Sequence, residues 1–262
     1  MISLPNLPKI TNKKGHEAVF EISPLCSGFG MTLGNSFRRV LLSSLEGAAI
    51  TEVRIEGVNH EFSTLPGVLE DILIILINLK KIRFKSWSEG SQTIFLNVKG
   101  EKEVLAKDFK LNPQIEITNP ELHIATLTDK KAEFKIEAKV EKGIGYLMTE
   151  EREEKKPEPG VIFLDAIFNS VKKVSFEIEN VIVGKKTDFE KLDLKIETDG
   201  TISPEQAFLK STDILLQHFL IFSKLEQEEK KEQKKEKKEK KEKKEKNKEA
   251  VKEGKKPKKE KS

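Results

Sequence analysis

Three groups of residues have types and spacings from which chemistry could come. Gly28-Phe-Gly30-Met-Thr-Leu-Gly34 is a glycine-rich turn of the sort that cradles phosphates. Its third glycine falls one residue late for a dinucleotide-binding loop, and no strand–helix–strand unit with an acidic residue about 20 positions on accompanies it. Tight turning and close packing are what these glycines serve. The second group is His16, His60, His123 and His218 with the single Cys26. The histidines are scattered without metal-ligand spacing, so no metal site is expected. One cysteine excludes an internal disulfide and suits a reducing compartment; Cys26 reads as a small, semi-buried residue. The third group is Arg38-Arg39. Each guanidinium is a planar fork that keeps its charge when desolvated, which suits contact with another protein. No nucleophile elbow, P-loop or pair of catalytic carboxylates stands out, and no catalytic residue is assigned.

The arginines need a helix with one buried face. Leu33, Phe37, Val40, Leu41, Ser44 and Leu45 recur at helical spacing. At about 100° per residue, Arg39 points nearly opposite this stripe and Arg38 lies on its flank. Residues 28–45 therefore read as a glycine turn followed by an amphipathic docking helix, with Gly47 at its exit. Strands are expected near 17–22 and over 49–55, and His60 to Phe62 is expected to resume the sheet after a Glu56-Gly57 turn. His60 reads either as a satisfied surface histidine or as a partner contact. A second helix is expected over 67–81, capped by Thr64 with Pro66 in its first turn. It is apolar on most sides, as core helices covered on several faces are.

Period-two patterns predict strands over 93–98, 114–117, 122–126, 133–140, 174–182 and 192–196. Gly143-Ile-Gly145 breaks the pattern, and the charged, proline-bearing stretch 149–159 reads as an exposed loop. Ser203-Pro204-Glu205-Gln206 supplies an N-cap, a first-turn proline and a capping-box glutamine. The helix it opens runs to about residue 222. Its stripe of Phe208, Ser211, Leu215, Phe219 and Phe222 needs cover, either from its own core or from a second copy of the chain.

Charge is unevenly spread. Residues 224–262 hold 19 lysines and 11 acidic residues, a net +8, while the whole chain is +4, which leaves residues 1–223 at −4. The basic isoelectric point belongs to the tail, so a basic-patch argument for nucleic-acid binding does not apply to the body. The tail has too few apolar residues for a core and is expected to be disordered. As a polycation it could hold nucleic acid loosely, although its glutamates weaken that field and it has no aromatic residue to stack on bases. Pro5 and Pro8 interrupt any N-terminal apolar segment, and the longest aliphatic run, residues 72–77, is far short of the roughly 20 residues a membrane span needs. A soluble, cytosolic protein is expected.

Long strings of the body resemble the bacterial-type RNA polymerase alpha-subunit family. Gly30-Met-Thr-Leu-Gly-Asn-Ser-Phe-Arg-Arg-Val-Leu-Leu-Ser-Ser44 carries the resemblance nearly residue for residue. Ala49-Ile-Thr-Glu-Val-Arg-Ile-Glu-Gly57, His60-Glu-Phe-Ser-Thr64, Gly67-Val-Leu-Glu-Asp-Ile-Leu73 and Lys142-Gly-Ile-Gly-Tyr146 continue it in order. Thr187-Asp-Phe-Glu-Lys-Leu192 and Glu197-Thr-Asp-Gly-Thr-Ile-Ser-Pro-Glu-Gln-Ala207 complete it, so it covers about residues 5–223. Ile144 stands where the family usually has an arginine.

The resemblance implies an α+β fold: a dimerisation domain of helices on an antiparallel sheet from residues 1–46 and 171–223, an inserted mostly-β domain over 47–170, and the charged tail 224–262. It implies a homodimer joined through Phe37, Leu41, Phe208, Leu215, Phe219 and Phe222. It implies docking of the β subunit on Gly34, Asn35, Arg38, Arg39 and His60, and of the β′ side on Lys185, Lys186, Thr187 and Asp188. Omega and sigma would join in the holoenzyme, DNA would be reached through the assembled enzyme, and no membrane would be involved. No cofactor is expected on this subunit, since the polymerising magnesium belongs to the large subunits. The tail stands where typical members have a linker and a small DNA-binding domain. The host would be a bacterium or a plastid. The competing reading from the composition is a basic-tailed RNA- or ribosome-binding protein without catalytic activity.

Overall fold

A computed structural model describes residues 4–151, 160–183 and 186–222, with only the backbone described at 151 and 186–188. The chain runs β1 (Lys9–Lys14), β2 (Glu17–Cys26), α1 (Phe29–Ser43), β3 (Glu46–Ile55), α2 (Ile72–Lys80), β4 (Phe84–Ser86), β5 (Gln92–Lys99) and β6 (Lys102–Leu105). It continues through β7 (Phe109–Lys110), β8 (Ile115–Ile117), β9 (His123–Leu127), β10 (Glu133–Ile144), β11 (Tyr146–Leu147), β12 (Val161–Phe163) and β13 (Ala166–Ile167). The long arms β14 (Val171–Val183) and β15 (Lys186–Thr198) follow, and then helix α3 over 204–222. The fold is α+β, and every strand pairing is antiparallel. By its contacts the chain divides into two units, 1–212 and 213–262.

The first sheet has the order β1-β2-β15-β14 and so joins the two ends of the body. Its inner face follows from strict alternation: Leu192, Leu194 and Ile196 of β15 are fully buried, opposite Ile178, Phe176 and Val174 of β14. Helix α1 lies on this face. The second sheet, β7-β5-β10-β3-β4-β8 with β12 added beside β3, comes from the middle of the chain. It shares one apolar core with α2, built on Ile50, Val53, Ile72, Ile75, Leu79, Ile94, Leu96 and Phe134. Strand β1 escaped the sequence reading, because its residues Lys-Ile-Thr-Asn-Lys-Lys are all exposed and carry no alternation. It is an edge strand, and its lysines discourage further pairing.

Four expectations are corrected. The second helix begins at Ile72 rather than near residue 67, with Asp71 at its N-cap, so Thr64 caps nothing and Pro66 lies in a turn. The segment before it is claimed by β9: Leu69 N–H donates to the Thr126 carbonyl (2.9 Å), Thr128 N–H donates to Gly67 (2.9 Å), and Val68 bridges Leu127. Gly67 takes φ +79°, which starts this excursion at no steric cost. Secondly, α2 is not covered on several faces. Ile72, Ile75, Leu76 and Leu79 are buried, whereas Leu73, Ile74 and Ile77 are more than 40 % exposed. Thirdly, His60 to Phe62 is a turn and not a strand, closed by Ser63, whose N–H and hydroxyl both donate to the His60 carbonyl (3.2 and 2.8 Å). Fourthly, β10 runs through Gly143 to Ile144. A Cβ on Gly143 would stand 2.5 Å from the Phe168 ring, so the glycine admits that ring and does not break the strand. Of the charged stretch 149–159 only residues 149–151 are described, and the tail 224–262 lies outside the described residues.

Candidate functional site

Helix α1 is seated by small residues. Gly30 and Gly34 are buried, and Cβ atoms there would stand 3.2 Å from Ile178 Cγ2 and 2.7 Å from the Phe176 ring. At Gly34 the helix therefore lies closer to β14 than a side chain would allow, and at Gly30 it is in tight contact. Phe37 and Leu41 continue the buried face, and Phe208 stacks between Phe37 and Phe20 with ring centroids 5.1 and 4.6 Å apart. Offset aromatic contacts of this kind add about 0.5–1.5 kcal/mol to the burial itself.

The opposite side of α1 is open. Met31, Asn35, Arg38 and Arg39 are exposed and recur at i, i+4, i+7 and i+8, one continuous stripe. Asn35 and the two arginines thus come together on one face, while Gly34 does not join them: it is turned inward beneath Phe176. His60 is exposed in its own turn after β3, where Ser63 Oγ lies 3.2 Å from its Nδ1. The N-terminal end of α1 has no capping side chain of its own and no acidic residue in its first turn. Glu190 of β15 takes that place, its carboxylate accepting from Gly28 N–H (2.7 Å) and Gly30 N–H (2.9 Å).

The other expected sites fare differently. Lys186, Thr187 and Asp188 lie at the start of β15 with only their backbone described, and Lys185 lies outside the described residues. Of the residues assigned to self-association, Phe37, Leu41 and Phe208 are buried within this chain, Leu215 is half-buried, and Phe219 and Phe222 are 63 % and 66 % exposed. Leu209, Leu216 and Ile221 add to the exposed apolar surface of α3. The expected capping box is present: Gln206 N–H donates to Ser203 Oγ (3.2 Å), and Ser203 N–H to Gln206 Oε1 (3.4 Å).

Two arrangements escaped the sequence reading. Beside α2 runs an open groove lined by Glu61, Leu73, Ile77, Lys80, Phe163 and Asp165. Asp165 accepts from the Thr149 N–H (3.0 Å) and hydroxyl (2.8 Å) and from Lys80 Nζ (3.0 Å), and these bonds hold its carboxyl well below the usual range. The second is a bracket around His123. Its Nε2 lies 2.9 Å from Glu70 and its Nδ1 3.0 Å from Glu103, while Glu70 also accepts from Thr126 N–H (2.6 Å) and its hydroxyl (3.0 Å). Partners 20 to 56 residues apart leave no periodic trace in a sequence. Among the described residues, no group of three or more His, Cys, Asp or Glu side chains is placed to hold a metal ion. No helix among them is long and apolar enough to cross a membrane.

Helix α1 is thus a seated helix with an exposed cationic stripe. The RNA polymerase Rpb3/RpoA insert domain matches residues 53–169. The DNA-directed RNA polymerase subunit alpha of Syntrophomonas wolfei is 44 % identical over 82 % of this chain and 68 % of its own length. This chain belongs to the bacterial RNA polymerase alpha-subunit family. The alpha subunits of Flavobacterium psychrophilum and Aquifex aeolicus are each 46 % identical over 79 % of the chain, covering 63 % and 66 % of their own lengths. The chain thus spans less than two thirds of the Flavobacterium psychrophilum subunit and about two thirds of the other two. The matched insert domain coincides with the middle sheet and α2, and the terminal sheet that carries α1 frames it in sequence.

Proposed function

We propose that this chain is a non-catalytic scaffold of a DNA-directed RNA polymerase. It dimerises and gathers the two large catalytic subunits. The observation that carries this reading is α1: glycines press it onto the sheet, and Asn35, Arg38 and Arg39 stand outward as one rigid face. A face held that firmly loses little freedom on binding, and arginine retains its charge when covered. The β subunit docks there and at the His60 turn; the start of β15 serves the β′ side. The exposed apolar residues of α3, Leu216, Phe219 and Phe222 among them, supply the self-association surface. Phe37, Leu41 and Phe208, buried within the chain, do not themselves face outward. The terminal sheet with its helices forms the dimerisation domain, the middle sheet the inserted one. Polymerisation and its magnesium belong to the large chains, omega and sigma complete the enzyme, DNA is engaged through the assembly, and the site of action is the cytoplasm.

Sedimentation of the purified chain is expected to give a dimer, and a clean monomer at high concentration would count against the reading. Co-expression with the β chain tests the docking face. Arg39→Ala leaves the fold intact and lowers β co-purification severalfold, whereas unchanged co-purification rejects the assignment. Deleting residues 224–262 is expected to leave assembly in place. Loss of all partner binding on that deletion would favour an RNA- or ribosome-binding protein instead.

A further inference from the structure

The inward positions of β15 read Ile196, Leu194, Leu192 and then Glu190. The first three are fully buried. Alternation places the Glu190 side chain on the same face, as the fourth rung of an otherwise apolar ladder. Its neighbours across the sheet make the same turn from apolar to polar: Val174, Phe176 and Ile178 oppose the three apolar rungs, and Asn180 opposes Glu190. A carboxylate at the end of an apolar face costs desolvation unless donors meet it, and here two do, the amides of Gly28 and Gly30. A Cβ on Gly30 would come within 2.8 Å of Glu190 Oε2, so a side chain there would displace the carboxylate from its present seat.

The anchors of α1 therefore fall in order along the sheet: Gly34 on Phe176, Gly30 on Ile178, and the N-terminal amides on Glu190. Two of them are apolar contacts that resist approach but permit rocking. Only the third is directional, and it sits at the positive end of the helix dipole, where a carboxylate is favoured. Arg38 and Arg39 lie about two and a half turns further on, roughly 15 Å along the axis, where a small change of pitch becomes a displacement of the whole stripe. We propose that Glu190 is a positioning residue for assembly: by capping α1 from β15, 160 residues away in sequence, it sets the pitch of the helix and hence the placement of Asn35, Arg38 and Arg39. This deepens the docking role proposed above and rests on it.

The test compares the full chain with Glu190→Ala and Glu190→Leu. Leucine continues the apolar ladder and restores packing without restoring the acceptors. If the cap positions the helix, both variants speed amide hydrogen exchange in residues 28–33 about tenfold and weaken capture of the purified β chain by a similar factor, while self-association stays as in the parent chain. Rescue of β capture by leucine, or a loss of dimerisation in step with the loss of capture, overturns the proposal, because either result marks a packing residue. Unchanged exchange in residues 28–33 overturns it as well. If the unaltered chain itself captures no β, the docking reading fails and the positioning role fails with it, while the exchange measurement still decides whether Glu190 caps α1.

Discussion

The two helices packed on the two sheets are a natural contrast. Helix α1 alternates small and large apolar residues with polar ones, and its buried face of Gly30, Gly34, Phe37 and Leu41 lies where that stripe demands. Helix α2 is Ile-Leu-Ile-Ile-Leu-Ile-Asn-Leu-Lys, apolar in almost every direction, yet it too buries a single face. A stripe states which way a helix turns. A helix greasy all round states only that it is wanted somewhere apolar, and its outward Leu73, Ile74 and Ile77 stay open to solvent or to another molecule. The contrast teaches that uniform hydrophobicity is a weaker guide to burial than asymmetry.

The largest effects test that sidedness. Leu41→Ala in α1 and Ile75→Ala in α2, both at fully buried positions, are expected to lower unfolding free energy by about 2–5 kcal/mol each. Ile74→Ala, one residue from Ile75 but 45 % exposed, is expected to change it by no more than about 0.5 kcal/mol. Chemical denaturation of the three variants reads this directly. Equal losses at Ile74 and Ile75 would mean that α2 is covered on both sides.

Gly34→Ala comes next. The added methyl would meet the Phe176 ring at 2.7 Å, so the ring or the helix must shift, at a cost of about 1–3 kcal/mol. The same substitution at Gly90, where the nearest atom is 4.0 Å away, is expected to be near neutral. A stable Gly34→Ala variant with unshifted Phe176 resonances would show that α1 sits less tightly than described.

Glu70 explains why α2 starts late. Its carboxylate holds the Thr126 amide and hydroxyl, so the residues ahead of α2 follow β9 and leave the helix axis. Glu70→Ala strips a partly buried N–H of its acceptor, a loss of about 1–3 kcal/mol. Without that bond, residues 67–71 are free to take up the helix that their sequence favours. Circular dichroism should then show a small gain of helix together with the loss of stability; a loss of both would refute the competition.

How much of this could be read from the residues follows one rule. The capping box Ser203–Gln206, the α1 stripe and the alternating arms β14 and β15 were legible because their determinants are local and periodic. The exposed faces of Arg38 and Arg39 were legible for the same reason, while Asn35 came in only with the family resemblance. For Gly34 close packing was legible, but its partner, a phenylalanine 142 positions away, was not. The start of α2, the strand through Gly143 and the carboxylate of Glu190 share that cause. Each is decided by a partner far along the chain, which propensity does not see.

The smallest effect falls at the His123 bracket, which ties the segment before α2 to β6 and β9. The hydrogen bond to Glu70 first, and then that to Glu103, against the opposing pull of burial, raise the imidazole above its ordinary value. Burial pushes Glu70 up, but the bonds from the Thr126 amide, His123 and the Thr126 hydroxyl outweigh it and leave that carboxyl lowered. For the histidine, the raised folded value means that the stabilisation is fully present below the ordinary imidazole range and is lost as pH rises through the raised value. For Glu70 the sign is opposite: its contribution is present above the ordinary carboxylate range and fades as pH falls through the lowered value. The bracket is therefore strongest between the two ranges, in mildly acidic solution. Because the His123 side chain is 38 % exposed, solvent screening holds its share to under about 1 kcal/mol. His123→Asn keeps a polar group but cannot carry the charge, so the decline in melting temperature from mildly acidic to mildly alkaline pH should flatten in that variant. An identical slope in the two proteins would place the pH dependence elsewhere.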